Sequence, residues 1–175
     1  MYKESEIMIA NKTCRNNGAS AFSNDGSIRA IVPRYIEQHI QQDKIILDFG
    51  SGKRAIHTQY LRERGYDVTA YDFGDNCIDG VHDKDALLKH FDVVFASNVL
   101  NVSSNKEMLE DTLKDIAECI GNNGTAIFNY PSSPRKACME TKEVEDIVKE
   151  VFSNVVQVGG TKSAPIWEAS QTIQN

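Results

Sequence analysis

The chain has 175 residues, of which 41% are hydrophobic and 25% charged, and its formal net charge is −6. This length fits one globular domain whose core needs no disulfide or metal support. The acidic balance argues against a protein that wraps a long nucleic-acid duplex. The cysteines are scattered singles, which predicts a reduced, cytoplasmic location and no zinc site. No apolar run is long enough to span a membrane, so we expect no membrane association.

The first part of the chain is polar and irregular, and a helical pattern follows it. Residues 1–26 contain Asn-Gly and Asp-Gly turn signals, so we expect an N-terminal lid or flexible segment there. Apolar residues then recur at helical spacing over 28–40. Pro33 lies within this stripe and predicts either a helix start or a kink. Residues 27–175 are predicted to form one folded domain.

Short apolar runs alternate with helical patterns along the rest of the chain. The predicted strands are 45–49, 67–72, 91–97, 125–129, 155–158 and 164–169, with Gly159-Gly160 between the last two. The predicted helices are 53–64, 109–120 and 144–152. Segment 73–90 is ambiguous, with a short helix around 84–90 and at most a weak strand. The alternation predicts an α/β fold: a doubly wound, mostly parallel sheet with helices on both faces.

A glycine turn follows the first predicted strand, at Asp48-Phe49-Gly50-Ser51-Gly52. In open parallel sheets ligands bind beyond the carboxyl ends of the strands, so this turn is the first candidate site. Asp72 ends the next strand, where its carboxylate can accept hydrogen bonds from ribose hydroxyls. S-adenosylmethionine (SAM) and NAD both carry such a ribose. The spacing Gly50-x-Gly52-x-x-Ala55 also satisfies the dinucleotide fingerprint, so these features alone do not separate the two cofactors.

Three observations favour SAM over NAD. Asp48 stands two residues before Gly50, a helix precedes the first strand, and no second domain is evident to hold a hydride donor or acceptor. With this Asp-x-Gly-x-Gly turn, the chain resembles the class I SAM-dependent methyltransferases over roughly residues 28–170. The stretch 91–100 resembles the fourth-strand motif of that family. The resemblance implies a Rossmann-like methyltransferase fold in which 155–158 and 164–169 form a C-terminal antiparallel hairpin.

The resemblance also implies a cofactor site for SAM. Residues 50–52 would cradle its methionine part, Asp72 would hold the ribose, Phe73 would border the adenine, and segment 75–83 would contact the adenine edge. The complete predicted cofactor-binding set is Lys12, Arg15, Asp48, Phe49, Gly50, Ser51, Gly52, Lys53, Asp72, Phe73, Cys77, Ile78, Asp79 and Asn98.

The chain departs from the family pattern where a third glycine is expected, because Arg54 follows Lys53. These cations either point into solvent or pair with the SAM carboxylate. Lys12 and Arg15 lie in the predicted lid, where they either bind that carboxylate or an anionic acceptor, or belong to a disordered tail.

The acceptor side is less defined than the cofactor side. Asn98 is a catalytic candidate that either binds an acceptor or caps a turn, and Tyr130 is a second candidate that either stacks on an acceptor or packs in the core. The Pro-containing motifs of DNA methyltransferases are missing from the corresponding positions, so duplex DNA is not supported as the substrate. The histidines show no metal spacing, and His82 with Asp79 and Asp83 is interpreted as a solvated loop.

The sequence thus predicts a SAM-dependent methyltransferase. Its unidentified acceptor is expected to be a small molecule or an exposed nucleotide or protein side chain. The alternative is a catalytically silent SAM-binding subunit or regulatory module, and an NAD-binding protein is the less favoured choice. A partner protein or a homodimer stays open.

Overall fold

The computed structural model describes residues 22–23, 26–134 and 139–171. Within these ranges the helices are α1 (Ile31–His39), α2 (Ile56–Arg62), α3 (Lys106–Ile120) and α4 (Thr141–Val151). The strands are β1 (Ile45–Phe49), β2 (Asp67–Tyr71), β3 (Val93–Ala96), β4 (Thr125–Asn129), β5 (Asn154–Thr161) and β6 (Ala164–Ser170). Most of the predicted elements are therefore present, and they differ from expectation mainly at their ends.

Local backbone preferences explain where the helices begin. Pro33 lies in the first turn of α1, where its missing N–H removes no helical hydrogen bond. The predicted start of α2 at residue 53 is wrong, because Ala55 adopts a left-handed conformation with φ of 45° and the helix begins only at Ile56. Asn105 caps α3, since its side-chain oxygen accepts a hydrogen bond from the Met108 backbone N–H.

The six strands form one sheet in the order β2-β1-β3-β4-β6-β5. The first four are parallel, whereas β6 runs antiparallel to both β4 and β5. The predicted mostly parallel sheet with a C-terminal hairpin is thereby confirmed. Because β1 lies between β2 and β3, the strand order reverses there, and the loops after β1 and β3 border the same crevice.

Helices cover both faces of the sheet. Helices α3 and α4 pack on one face against a core that includes Leu47, Phe128 and Trp167. Helices α1 and α2 pack on the other face, where Ile46 and Phe95 lie at the centre of a second core. Each face therefore buries its own apolar layer, which fixes the register of the strands and the positions of their carboxyl ends.

Segment 73–90 contains two short 3₁₀ turns, Gly74–Asn76 and Ala86–Leu88, and no strand within the described residues. One backbone bond still ties it to the sheet, because Asp83 N–H donates to the Ala70 carbonyl over 2.9 Å. At the other edge, the expectation that Gly159-Gly160 separates two strands is wrong. Both glycines lie within β5, and a register shift beside Gly159 absorbs the irregularity.

Among the residues that the structure describes, no helix combines the length and the apolar character needed to cross a bilayer. The cytoplasmic location stays a prediction from cysteine usage.

Candidate functional site

The glycine turn after β1 is bound to the end of β2. Gly50 N–H and Ser51 N–H both donate to the Tyr71 carbonyl, at 2.9 and 3.0 Å. Gly50 and Gly52 have φ of 73° and 75°, a left-handed region that glycine enters without a steric penalty. The sequence therefore bends sharply here and returns toward α2, and the turn stands at the carboxyl edge of the sheet.

Asp48 lies beneath this turn with only 1% of its surface exposed. The Thr58 hydroxyl donates to its Oδ2 over 2.8 Å, which links β1 to α2. Burial raises the pKa of Asp48 to about 7, and the Thr58 hydrogen bond partly opposes that shift. Asp48 consequently supports the turn from below and exposes almost no surface to a ligand.

Asp72 holds the turn from the side. Its Oδ2 accepts a hydrogen bond from Gly52 N–H at 2.7 Å, and its Oδ1 accepts one from Phe73 N–H at 2.8 Å. The Asn76 side chain adds a third bond. Burial raises the pKa of Asp72, and these hydrogen bonds, which favour the carboxylate, oppose only part of that rise. Asp72 consequently fixes both the glycine turn and the start of the loop after β2.

His82 joins segment 73–90 to the same turn. The ring is half-buried, with Nε2 lying 2.9 Å from the Gly52 carbonyl and Nδ1 accepting from Ile78 N–H over 2.9 Å. Asp83 instead pairs with Lys89. The interpretation of His82, Asp79 and Asp83 as one solvated loop is therefore wrong for His82, because its two ring nitrogens are engaged within the protein.

The predicted adenine-side residues follow Asp72 directly. Phe73, Cys77 and Ile78 are half-buried, whereas Asp79 is exposed. Phe73 packs against the core on the α3–α4 face. The structure thus brings this short stretch beside Asp72 and the glycine turn, and it offers both apolar side chains and backbone groups to a flat ligand.

The loop after β3 closes over the turn from the opposite side. A Cβ added to Gly50 would lie 2.7 Å from Val99 Cγ2, so the two segments are in direct contact. Asn98, which is exposed, adopts a left-handed φ of 56°. Its backbone N–H donates to Asn129 Oδ1, and Asn129 Nδ2 donates to Asn98 Oδ1, both over 2.8 Å. The amide pair joins the carboxyl ends of β3 and β4.

Tyr130 was predicted either to stack on an acceptor or to pack in the core, and the structure places it in the core. It is 1% exposed, and its hydroxyl donates to the Met139 carbonyl. A side chain this buried does not present a stacking surface to an acceptor.

Two polar atoms near the same rim have no partner among the described residues. They are Ser97 Oγ, at the end of β3, and Asn101 Oδ1, in the 3₁₀ turn Leu100–Val102. Buried polar atoms are nearly always hydrogen-bonded in folded proteins, so unpaired ones suggest a missing ligand or water.

Of the predicted cations, the structure describes only one. Lys53 is exposed in the turn before α2, and Lys12 and Arg15 lie outside the described residues. Across the described ranges, no three His, Cys, Asp or Glu side chains are placed so that they could hold a metal ion.

A separate groove of about 390 Å³ lies between α1 and the β5–β6 hairpin. Its walls include Arg34, Tyr35, Val158 and Gly160, and none of its lining residues belongs to the glycine turn. The volume of the groove does not make it the reaction site, because the Asp48 and Asp72 carboxylates lie at the carboxyl edge of the sheet instead.

Three residues of the site were not found from sequence: Thr58, His82 and Asn129. Thr58 follows Asp48 by 10 residues, a spacing that a strand, turn and short helix bring together. Asn129 ends a predicted strand, which was a usable signal. For His82 the sequence offered no signal, since its bond to Gly52 crosses 30 residues and an irregular loop.

The site has the features that a nucleoside cofactor with an amino-acid tail requires. A Cβ added to Gly52 would meet no protein atom within 4 Å, so the backbone there can be approached closely. A buried carboxylate at Asp72 suits ribose hydroxyls. These residues fit SAM.

Known proteins share both sequence features and the fold with this chain. Residues 23–157 match the methyltransferase domain family. No curated protein matches the sequence significantly. The fold is similar to that of a TehB-like SAM-dependent methyltransferase from Corynebacterium glutamicum, at 17% identity and a TM-score of 0.66, over 97% of this chain and 100% of that chain.

Two further solved structures are similar in fold. One is the 1,6-didemethyltoxoflavin-N1-methyltransferase of Burkholderia thailandensis, with 14% identity, a TM-score of 0.65 and coverage of 98% of this chain and 91% of that chain. The other is a SAM-dependent methyltransferase from Bacteroides fragilis, with 13% identity, a TM-score of 0.59 and coverage of 82% and 78%.

The residues that match the family make up most of the chain and contain the glycine turn, Asp72 and the rim after β3. The resemblance to the class I SAM-dependent methyltransferases is confirmed, and the protein belongs to the methyltransferase domain family.

Proposed function

We propose that this protein is a SAM-dependent methyltransferase whose cofactor binds at the carboxyl edge of the sheet, between the loops after β1 and β3. The observation that carries the proposal is the glycine turn, which Asp72 holds through Gly52 N–H at 2.7 Å while the α-carbon of Gly52 stays approachable. The membership in the methyltransferase family supports SAM over NAD as the ligand of this turn.

Each part of the cofactor has residues suited to it. The backbone of 50–52 holds the methionine part, and Asp72 accepts a hydrogen bond from the ribose. Lys53, exposed beside the turn, pairs with the ligand carboxylate, and Lys12 and Arg15 are the further predicted partners of that carboxylate. The adenine lies against a set of residues that follows Asp72: Phe73, Cys77, Ile78 and Asp79.

The bound cofactor supplies a methyl group on a positively charged sulfonium, already activated for in-line displacement. The protein's own task is to align the acceptor and to keep water out. Asn98 is the residue best placed to align the acceptor, because it is exposed on the rim and the Asn129 side chain fixes its backbone N–H. Ser97, half-buried at the end of β3, directly precedes Asn98 on this rim.

The acceptor is a small molecule, or an exposed nucleotide or protein side chain. The similar B. thailandensis enzyme is named for a small-molecule acceptor, which supports the first of these classes. Duplex DNA finds no support in the motifs of this chain.

Thermal shift with SAM, S-adenosylhomocysteine and NADH tests the proposal directly. Ligands that bind only the folded protein raise its melting temperature with concentration. We expect both adenosyl ligands to raise it and NADH to leave it unchanged. A rise with NADH alone, or no rise with either adenosyl ligand, would contradict the proposal.

The alternative of a catalytically silent SAM-binding subunit calls for an apolar docking patch at a sheet edge. The strongly exposed large apolar side chains of the described residues are instead dispersed, and Val156, 59% exposed, is the one on edge strand β5. A crystal soaked with S-adenosylhomocysteine separates the two functions, because an enzyme should show an acceptor-sized space beyond the ligand sulfur, bordered by Asn98.

A further inference from the structure

We propose that His82 is a positioning residue of the cofactor site, which fixes the glycine turn and the adenine-side loop relative to each other. The inference rests on the proposed function and names how that same site is held in shape. No direct contact between the imidazole and the ligand is required.

The hydrogen-bond pattern determines which ring nitrogen carries the proton. Ile78 N–H can only donate, so Nδ1 of His82 must accept and carries no hydrogen. The proton of the neutral ring is then on Nε2, which donates to the Gly52 carbonyl. A single tautomer satisfies both bonds.

The first bond makes the loop rigid. Val81 N–H and His82 N–H both donate to the Ile78 carbonyl, at 3.1 and 3.0 Å, and the His82 ring returns to Ile78 N–H. Residues 78–82 thus form a closed turn that contains two of the predicted adenine-side residues, Ile78 and Asp79.

The second bond joins this closed turn to the glycine turn, 30 residues earlier in the sequence. Gly52 is thereby held on both sides: Asp72 receives its N–H, and its carbonyl accepts from His82 and from Ala55 N–H. Glycine is the residue whose backbone most needs such fixing, since it has the widest choice of conformations. The part of the site that holds methionine and the part that holds adenine are consequently coupled through one imidazole.

Two substitutions separate the bonds. In His82→Asn the side-chain oxygen takes the place of Nδ1 and can accept from Ile78 N–H, but the side chain is too short to reach Gly52. In His82→Gln the amide nitrogen takes the place of Nε2 and can donate to the Gly52 carbonyl, while the bond to Ile78 is lost. His90→Asn is the matched control, because His90 is exposed before β3, at the opposite edge of the sheet.

The binding of S-adenosylhomocysteine to each variant is measured by calorimetry, alongside the melting temperature without ligand. Loss of one hydrogen bond changes an equilibrium roughly 2- to 10-fold. We expect about this loss of affinity in His82→Asn, a smaller loss in His82→Gln, which keeps the bond to Gly52, and wild-type affinity in His90→Asn. If the wild-type protein does not bind S-adenosylhomocysteine, the proposed function is refuted. The His82 proposal is decided by the differences in affinity between the variants and the wild type.

A merely structural histidine would lower the melting temperature in both His82 variants and leave both affinities unchanged, which would overturn the proposal. An affinity that rises in His82→Asn would overturn it too, since the ring would then obstruct the ligand. Nitrogen-15 NMR of the imidazole gives an independent test: a proton on Nδ1 instead of Nε2 would rule out the bond to Gly52.

Discussion

The carboxyl edge of the sheet has two halves that are built differently. The half after β1 and β2 is a backbone structure: a glycine turn whose amides are bound by the Tyr71 carbonyl and the Asp72 carboxylate. The half after β3 and β4 is held by side chains, through the Asn98–Asn129 amide pair across 31 residues. The first half can be read from a short motif, whereas the second exists only when the strands have been assembled. The half after β1 and β2 therefore follows from local sequence, whereas the half after β3 and β4 depends on how the strands are assembled.

Breaking the backbone half should have the largest effect. Gly50→Val places a Cβ 2.7 Å from Val99 Cγ2 and forces a branched residue into a left-handed conformation, which itself costs about 1–2 kcal/mol. We expect no measurable binding of S-adenosylhomocysteine by calorimetry, with far-ultraviolet circular dichroism unchanged. Gly65→Val is the control: it shares a positive φ of 89°, but its closest neighbour is the flexible Gln42 side chain at 3.5 Å. Equal binding in both variants would mean that the turn is not the site.

Removing the carboxylate of Asp72 should have the next largest effect. Asp72→Ala leaves the Gly52 and Phe73 N–H groups without their acceptor, which costs about 1–3 kcal/mol in stability and a similar amount in SAM binding. Asp72→Asn keeps one side-chain oxygen, so it should lose less stability and less SAM affinity than Asp72→Ala. Asp67→Ala, at the exposed start of β2, should change neither quantity. Retained affinity in Asp72→Ala would remove the ribose role.

The pH dependence of stability tests the support beneath the turn. Burial raises the pKa of Asp48 to about 7, so the folded protein holds a proton that an unfolded carboxyl releases near pH 4. The stability that this proton contributes is fully present below about pH 4 and is lost as the pH rises through 7. Asp48→Asn cannot ionise, so its melting temperature relative to wild type should rise between pH 4 and pH 8.

Thr58→Val sharpens that experiment, because the Thr58 hydroxyl favours the charged form of Asp48. Its removal should move the midpoint of the pH profile upward. A melting-temperature difference between Asp48→Asn and wild type that stays constant with pH would show that Asp48 is already ionised when buried.

The smallest effect should come from the side-chain half. A double-mutant cycle on Asn98→Ala and Asn129→Ala should give a coupling of about 1 kcal/mol in unfolding by urea, as expected for contacting residues. Neither single substitution should weaken S-adenosylhomocysteine binding as much as Asp72→Ala. If they weaken it equally, the separation of the edge into two halves is wrong.

Sequence patterns predicted the elements of this fold well because each has a local cause. The run Ile45–Phe49 is buried on both faces from Ile46 onward, Val93–Ala96 is buried throughout, and the stripe on α3 follows helical spacing. The failures also have local causes. Ala55 takes a conformation that its type rarely adopts, and Gly159-Gly160 continues a strand through a register shift where glycine pairs usually end one.

The site was predicted less completely than the fold. Asp48, Gly50, Gly52 and Asp72 could be identified because a motif fixes their spacing. His82 and Asn129 act through contacts that cross 30 and 31 residues, and no periodicity reports such distances. Tyr130 likewise lies in a core that also contains Met139, to whose carbonyl its hydroxyl donates, and a single strand pattern does not contain such a contact.

Both backbone groups of Gly52 are engaged before any ligand arrives, the N–H by Asp72 and the carbonyl by His82. A free glycine loses more conformational entropy on ordering than any other residue. Here the conformational entropy of Gly52 is already lost on folding, so a ligand that binds at the turn does not have to order it. The turn should therefore be preorganised for the ligand. Substitutions that strengthen ligand binding would then have to act elsewhere on the rim.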